Sequence, residues 1–83
     1  MDRINIKDLP KSSINHGTGL KKVFLKKDDT NTALTQIAWA CFEPGEYCDM
    51  HTHPTMDEYF FVYKGKAKYE VDNEVLNIVE GDF

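Results

Sequence analysis

Hydrophobic and polar residues alternate along much of the chain, which is the pattern of half-buried β-strands. The clearest case is residues 33–42, where Ile37, Trp39 and Cys41 fall on one face of the predicted strand and smaller or polar residues fall on the other. A short strand is predicted near the N-terminus and another around Val23. Later strands are predicted over residues 47–53, 58–63, 67–71 and 75–79.

Short polar segments separate these strands. Residues 11–19, rich in Ser, Asn, Thr and Gly, read as a loop, and turns are predicted at residues 28–31, 43–46, 64–66 and 72–74. No helix-period pattern extends over ten or more positions. We therefore predict an all-β fold, an antiparallel sandwich or barrel. A single domain is expected over residues 1–83, with short strands in residues 1–32 and its core in residues 33–83.

The length of 83 residues is near the lower limit for a self-sufficient hydrophobic core, so an additional source of stability is expected. Disulfides are not the expected source, because two cysteines, Cys41 and Cys48, do not make a secreted disulfide framework, and we expect both to be reduced. The first ten residues are mixed polar, and charges interrupt every apolar stretch. A cytoplasmic protein without a membrane partner is expected.

The net charge of −4 argues against a nucleic-acid partner, because binding phosphates requires a basic surface. One basic cluster brackets residues 23–25 and consists of Lys21, Lys22, Lys26 and Lys27. Lysines at a strand edge commonly serve to keep it solvated and to prevent pairing with another chain. The alternative function is attraction of an anionic substrate such as a phosphorylated sugar, and solvation is the preferred interpretation.

Two histidines and a carboxylate form the candidate functional site. In the predicted strand 47–53, His51 and His53 point to the same face and Cys48 points away. Residues 54–57 have the length of a hairpin loop, so Glu58 begins the neighbouring strand and can face both histidines. Two imidazoles and one carboxylate suit Fe(II), with Mn, Ni and Zn also possible. We prefer a metal site over ordinary surface polar residues, because this face would otherwise bury unpaired polar groups.

At these positions the chain resembles the cupin family. The first cupin motif has a glycine, five residues, His-x-His, three or four residues, a glutamate, six residues and a second glycine. Here Gly45, His51, His53, Glu58 and Gly65 follow that spacing without a gap. Five fixed positions at fixed spacing make this more specific than a short glycine motif.

The resemblance implies a double-stranded β-helix, or jelly-roll barrel, with a divalent metal held by His51, His53 and Glu58. The second cupin motif, which supplies a fourth ligand, begins near residues 81–83 and is then cut off, so we expect a barrel that is incomplete at its C-terminal end. His16 lies in a Gly-rich loop and is read as an exposed loop histidine rather than as the missing ligand. Asp49 or water could take that position.

An open sheet leaves unpaired edges, and Tyr59, Phe61 and Tyr63 form an aromatic stripe on the strand that carries Glu58. A homodimer is therefore expected, or packing of the stripe on the N-terminal strands. The resemblance implies either a binding module for a small sugar-like or carboxylate ligand or a metal-dependent enzyme. In the second case it would be a sugar-phosphate isomerase, epimerase or dioxygenase, and a degenerate cupin without activity is the third possibility. No catalytic acid or base is identified, and the missing second motif favours binding.

Overall fold

Two compact units make up the chain, one ending at Asp49 and one beginning at Met50. The structure is a computed structural model, and it describes residues 3–52 and 55–83. Five strands and one turn of 3₁₀ helix, Ile6–Asp8, are formed there. The all-β prediction is thereby confirmed, and the single domain stays a prediction. No closed barrel is formed within the described ranges, where the strands make two separate antiparallel sheets.

The N-terminal unit is built on a three-stranded antiparallel sheet in the order β1-β2-β3. Its strands are β1 (Ser12–Ser13), β2 (Leu20–Lys26) and β3 (Gln36–Cys41). β2 and β3 match the strands predicted around Val23 and within residues 33–42. β1 lies inside the segment predicted as a loop, and it pairs with the first residues of β2.

The ladder between β2 and β3 contains a bulge. Val23 is opposite Ala38 and Leu25 is opposite Ile37, so Phe24 is an additional residue on β2. Leu25 consequently lies on the face of β3 that holds Ile37, Trp39 and Cys41, as the alternation of β3 predicts. Trp39 and Cys41 are half-buried there.

Residues 27–35 join β2 to β3 and include the turn predicted at residues 28–31. The Asp29 N–H donates to the Lys26 carbonyl at 3.1 Å, and the Asp29 carboxylate accepts the Lys26 N–H at 3.0 Å. Asp28 has a φ of 75°, which short polar residues tolerate better than others. Asp29 thus closes the turn with both its backbone N–H and its carboxylate.

The C-terminal unit contains a β-hairpin of β4 (Lys66–Val71) and β5 (Glu74–Val79). Val71 pairs with Glu74 across a two-residue turn. Both turn residues, Asp72 and Asn73, have positive φ, as a type I′ turn requires. These strands and their turn agree with the predictions for residues 67–71, 72–74 and 75–79.

Large apolar side chains stay accessible in both units. Among the described residues no hydrophobic side chain is fully buried, and Tyr59, Phe61 and Tyr63 are 75%, 63% and 70% exposed. The expected packing of this aromatic stripe on the N-terminal strands remains a prediction. In the described part of the chain no helix is long and apolar enough to cross a membrane.

Three predicted strands are wrong where the structure describes them. Residues 3–10 hold the 3₁₀ turn instead of a strand, because the Asn5 side chain accepts the Lys7 N–H and caps it. Residues 47–52 form one isolated bridge at Cys48, and residues 58–63 form no strand. A β-strand forms only where a neighbouring strand offers hydrogen-bonding groups along its length. Alternation of apolar and polar residues within one segment does not show whether such a neighbour exists.

Candidate metal centre

The chain approaches the candidate ligands through a tight turn at residues 43–46. The Glu46 N–H donates to the Glu43 carbonyl at 2.9 Å, and the Glu46 carboxylate accepts the Glu43 N–H at 2.8 Å. Gly45 has a φ of 88°, a left-handed conformation that favours glycine. The positive φ at this position therefore explains why the first residue of the motif is glycine.

Residues 47–49 are held by the loop that begins at Asn15. Gly17 and Cys48 form an antiparallel bridge, and the Thr18 N–H donates to the Tyr47 carbonyl at 2.8 Å. The Thr18 hydroxyl accepts the Tyr47 N–H at 3.0 Å. The Asp49 N–H also donates to the carbonyl of residue 16 in this loop. The segment before the histidines is thus fixed without belonging to a strand.

The predicted ligands His51 and Glu58 both lie in the C-terminal unit, and both are exposed. His53 lies outside the described residues. Alternation predicts a strand over residues 47–53 with both histidines on one face. That premise is wrong for residues 47–52, so the shared face of His51 and His53 now rests on the motif alone.

The antiparallel partner expected for the histidines is also missing. Residues 58–63 form no strand, so Glu58 does not begin a hairpin strand as predicted. This segment is instead attached at Val62, whose N–H donates to the Asp82 carbonyl at 2.8 Å and whose carbonyl accepts the Gly81 N–H at 2.7 Å. The Phe60 ring contacts the Tyr69 ring of β4. Glu58 is therefore carried by a segment anchored at Phe60 and Val62.

The motif closes with a second glycine in a left-handed conformation. Gly65 has a φ of 84° in the bend that precedes β4. Residues 81–83, predicted to resemble the start of a second motif, lie at another turn, where the Asp82 carboxylate accepts the Val79 N–H at 2.8 Å. The motif glycines thus occupy positions where a side chain would strain the backbone.

The two candidates for a fourth ligand lie in the N-terminal unit. His16 is exposed in its loop with a φ of 64°, as expected of a loop histidine. Its carbonyl accepts the Asp49 N–H. Cys41 and Cys48 are not joined in a disulfide, and their reduced state stays a prediction. Within residues 3–52 and 55–83 no three His, Cys, Asp or Glu side chains come close enough together to hold one ion.

Three lysines of the basic cluster have local partners. Lys22 Nζ donates to the Ile6 carbonyl at 2.9 Å, and Lys21 Nζ donates to Gln36 Oε1 at 3.3 Å. Lys26 Nζ lies 3.5 Å from the Asp29 carboxylate. β2 lies between β1 and β3, and β1 pairs with it only at Leu20 and Lys21, so protection of an open strand edge by these lysines stays a prediction. Attraction of an anionic substrate stays a prediction.

Sequence reasoning missed the contact between residues 15–18 and residues 47–49. Composition predicts only a loop for the segment Asn15-His16-Gly17. A Cβ on Gly17 would collide with the Tyr47 carbonyl and lie 2.8 Å from Cys48 Cα. The glycine permits close approach of two backbones, which a single sequence does not distinguish from a turn glycine.

Antiparallel sheets, together with a His-x-His-x₄-Glu segment between two turn glycines, define a small all-β protein of the jelly-roll class with a candidate metal site. The family model described as "Cupin domain" matches residues 38–83, which is more than half of the chain and includes the whole motif. The chain belongs to the cupin family. Comparisons with curated proteins and with solved structures give no significant match.

Proposed function

We propose that this chain is a cupin-type metal-binding module. In the proposal His51, His53 and Glu58 hold a divalent ion, and the ion and its surroundings bind a small sugar-like or carboxylate ligand. The fold family is known for this chain, whereas the ion, the ligand and any reaction belong to the proposal. A homodimer in the cytoplasm is the expected setting.

One observation carries the proposal. The His-x-His-x₄-Glu pattern lies inside the family match, and the glycines at its two ends, Gly45 and Gly65, have φ values of 88° and 84°. A pattern that matched by chance would not need a left-handed backbone at both glycines. The two glycines therefore have a structural role at the motif's ends, which supports interpreting the polar residues between them as a functional set.

The donor chemistry fits a divalent transition metal. Two neutral imidazoles and one carboxylate are common ligands of Fe(II), Mn, Ni and Zn. His51 and Glu58 are exposed, so an ion could reach them from solvent. When bound, the ion would act as a Lewis acid with open coordination positions for water or ligand. The chain itself supplies the two imidazoles, the carboxylate and the anchors on either side of them.

Exposure around the motif favours binding over catalysis. All described residues from Tyr47 to Phe61 are exposed, including the aromatic side chains of residues 59–61. Catalytic sites commonly exclude water, because this strengthens the electrostatic interactions within them. An isomerase, epimerase or dioxygenase activity is therefore the second candidate.

The experiment is metal loading of the purified chain followed by elemental analysis. We expect one ion per chain for the wild type, and loss of binding in His51→Ala, His53→Ala and Glu58→Gln. Glu70→Gln is the matched control for Glu58→Gln, because it removes an exposed β4 carboxylate outside the motif. An absence of stoichiometric metal in the loaded wild type would refute the proposal.

Oxygen consumption of the Fe(II)-loaded chain then separates the two candidate functions. A binding module takes up no oxygen beyond the rate of free iron in the same buffer. Uptake that depends on His51 and on an added small carboxylate or sugar would instead establish a dioxygenase. Conversion of sugar phosphates by the Mn- or Zn-loaded chain would establish an isomerase or epimerase.

The homodimer rests on the exposed aromatic side chains. Tyr59, Phe61 and Tyr63 are each at least 63% exposed, and aromatic residues are enriched in protein interfaces. Sedimentation velocity at micromolar concentration should show a dimer for the wild type and a monomer for Phe61→Glu. A wild type that sediments as a monomer throughout would remove this part of the proposal.

A further inference from the structure

The loop of residues 15–18, here called the clamp loop, holds the chain just before the candidate ligands. Thr18 and Tyr47 form two reciprocal hydrogen bonds, from the Thr18 N–H to the Tyr47 carbonyl at 2.8 Å and from the Tyr47 N–H to the Thr18 hydroxyl at 3.0 Å. Gly17 forms a bridge with Cys48, and the carbonyl of residue 16 accepts the Asp49 N–H. Three consecutive residues are thus fixed by one loop.

Close packing between the two backbones allows only glycine at position 17. A Cβ at residue 17 would clash with the Tyr47 carbonyl and would lie 2.8 Å from both Cys48 Cα and Ile14 Cδ1. Real Cβ atoms do not approach backbone atoms so closely, so any other residue would force the two segments apart. Gly17 is therefore required by close approach.

The clamped segment ends two residues before His51. Met50 is the single residue between this fixed segment and His51, so the loop limits where the backbone of His51 can lie relative to residues 47–49. A ligand that is already ordered loses less conformational entropy when it binds an ion, which raises affinity without adding a donor. The clamp loop can therefore affect metal affinity without contacting the ion.

We infer that the clamp loop is a positioning element for the backbone that leads into His51, with Thr18 and Gly17 as its positioning residues. The inference rests on the proposed metal-binding function and deepens it. Thr18 acts through Tyr47, because its hydroxyl satisfies the N–H of the first clamped residue. Neither residue is a metal ligand.

The test uses the full chain and Co²⁺, whose visible absorption reports both binding and coordination geometry. Thr18→Val keeps the β-branched shape and removes the hydroxyl acceptor, whereas Thr18→Ser keeps the hydroxyl. Thr32→Val is the matched control, since the Thr32 hydroxyl accepts the Leu34 N–H at 3.2 Å in the turn before β3. Stability of each variant is followed separately by urea unfolding.

We expect Thr18→Val to weaken Co²⁺ binding about tenfold, the low end of the range for residues that hydrogen-bond directly to metal ligands, because Thr18 acts through Tyr47. Thr18→Ser should restore the affinity, and Thr32→Val should bind as the wild type even if its stability falls as much. Gly17→Ala should weaken binding at least as much as Thr18→Val if it folds, and Thr18→Val carries the test if it does not.

Wild-type affinity in Thr18→Val would overturn the inference, as would equal weakening in Thr18→Val and Thr32→Val or failure of Thr18→Ser to restore binding. A wild type that binds no Co²⁺, or a His51→Ala variant that binds it normally, would refute the proposed function and the positioning role with it. The two failures are distinguishable, because the second appears before any clamp variant is measured.

Discussion

The aromatic rings of Phe60 and Tyr69 pack with their centroids 5.8 Å apart and their planes tilted by 60°. Phe60 lies two residues after Glu58, and Tyr69 lies in β4 opposite Leu76. The contact attaches an irregular segment to the β4–β5 hairpin. An isolated two-stranded hairpin is only marginally stable in water, so side chains that cover it contribute to the C-terminal unit.

A double-mutant cycle on this pair should give a measurable coupling. Phe60→Leu and Tyr69→Leu together should cost less than the sum of the single changes by about 0.5 kcal/mol, the lower end for aromatic pairs. The low value follows because the two side chains are 53% and 38% exposed. Urea unfolding measures the cycle, and the same cycle with Tyr63→Leu should show no coupling. Equal couplings in the two cycles would contradict a specific ring contact.

The turn between β4 and β5 should discriminate strongly among residues at position 73. Asn73 has a φ of 67°, which glycine and asparagine adopt readily and β-branched residues do not. We expect Asn73→Val to lower the free energy of unfolding by about 1–2 kcal/mol. Asn73→Gly should be at least as stable as the wild type.

The matched control for the turn is Asn77→Val, the same change within β5. Asn77 is opposite Lys68 in the regular ladder, where a β-branched residue is favourable. Thermal unfolding should therefore show a loss for the turn variant and none for the strand variant. Equal losses at both positions would mean that the asparagine side chains, not the turn geometry, determine stability.

Acid should weaken the turn between β2 and β3. The Lys26 backbone N–H, together with the positive charge of the Lys26 side chain, lowers the pKa of Asp29 below its ordinary value of 3.8. A carboxyl group with a lower pKa in the folded chain stabilises the fold while it is ionised. This contribution is lost as the pH falls below the ordinary value and through the folded pKa.

Urea midpoints measured from about pH 5 down to about pH 3 test this, because that interval includes the ordinary pKa of Asp. The midpoint of Asp29→Asn should fall less steeply than that of the wild type. Lys26→Gln should keep most of the wild-type slope, because the backbone N–H is the larger cause and is retained. Identical slopes for the wild type and Asp29→Asn would assign no role to this carboxylate.

Metal should stabilise the chain by mass action. An ion that binds only the folded state raises the free energy of unfolding by about 2.7 kcal/mol at one hundred times its dissociation constant. Urea unfolding with and without Zn²⁺ should show this increase for the wild type, and a chelator should reverse it. His51→Ala should unfold at the same urea concentration in both buffers. Stabilisation of His51→Ala equal to that of the wild type would place the ion elsewhere.

Strands joined by a short turn with characteristic turn residues were predictable from the sequence. β4 and β5 are separated by Asp72 and Asn73, residues that tolerate positive φ, and pairing across a two-residue turn is local in the chain. β3 was recognised because Ile37, Trp39 and Cys41 alternate with smaller residues. In both cases neighbouring residues contain the information that determines the structure.

The segments around the candidate ligands were less predictable. Residues 58–63 are aromatic or β-branched enough to suggest a strand, yet their hydrogen bonds go through Val62 to residues 81 and 82. Residues 47–49 form their hydrogen bonds with the clamp loop, in which Thr18 lies 29 residues before Tyr47. Such long-range pairing does not follow from alternation. The motif was nevertheless recognisable, because its spacing does not depend on a regular strand.

The additional residue at Phe24 changes how strand β2 should be compared with any related sequence. Before it, Leu20 and Lys22 lie opposite Cys41 and Trp39, and after it Leu25 lies opposite Ile37. Odd and even positions therefore exchange their orientation in the middle of the strand. An alignment that runs through β2 without a gap would equate inward with outward positions beyond Val23. A one-residue insertion or deletion placed at Phe24 keeps them in phase.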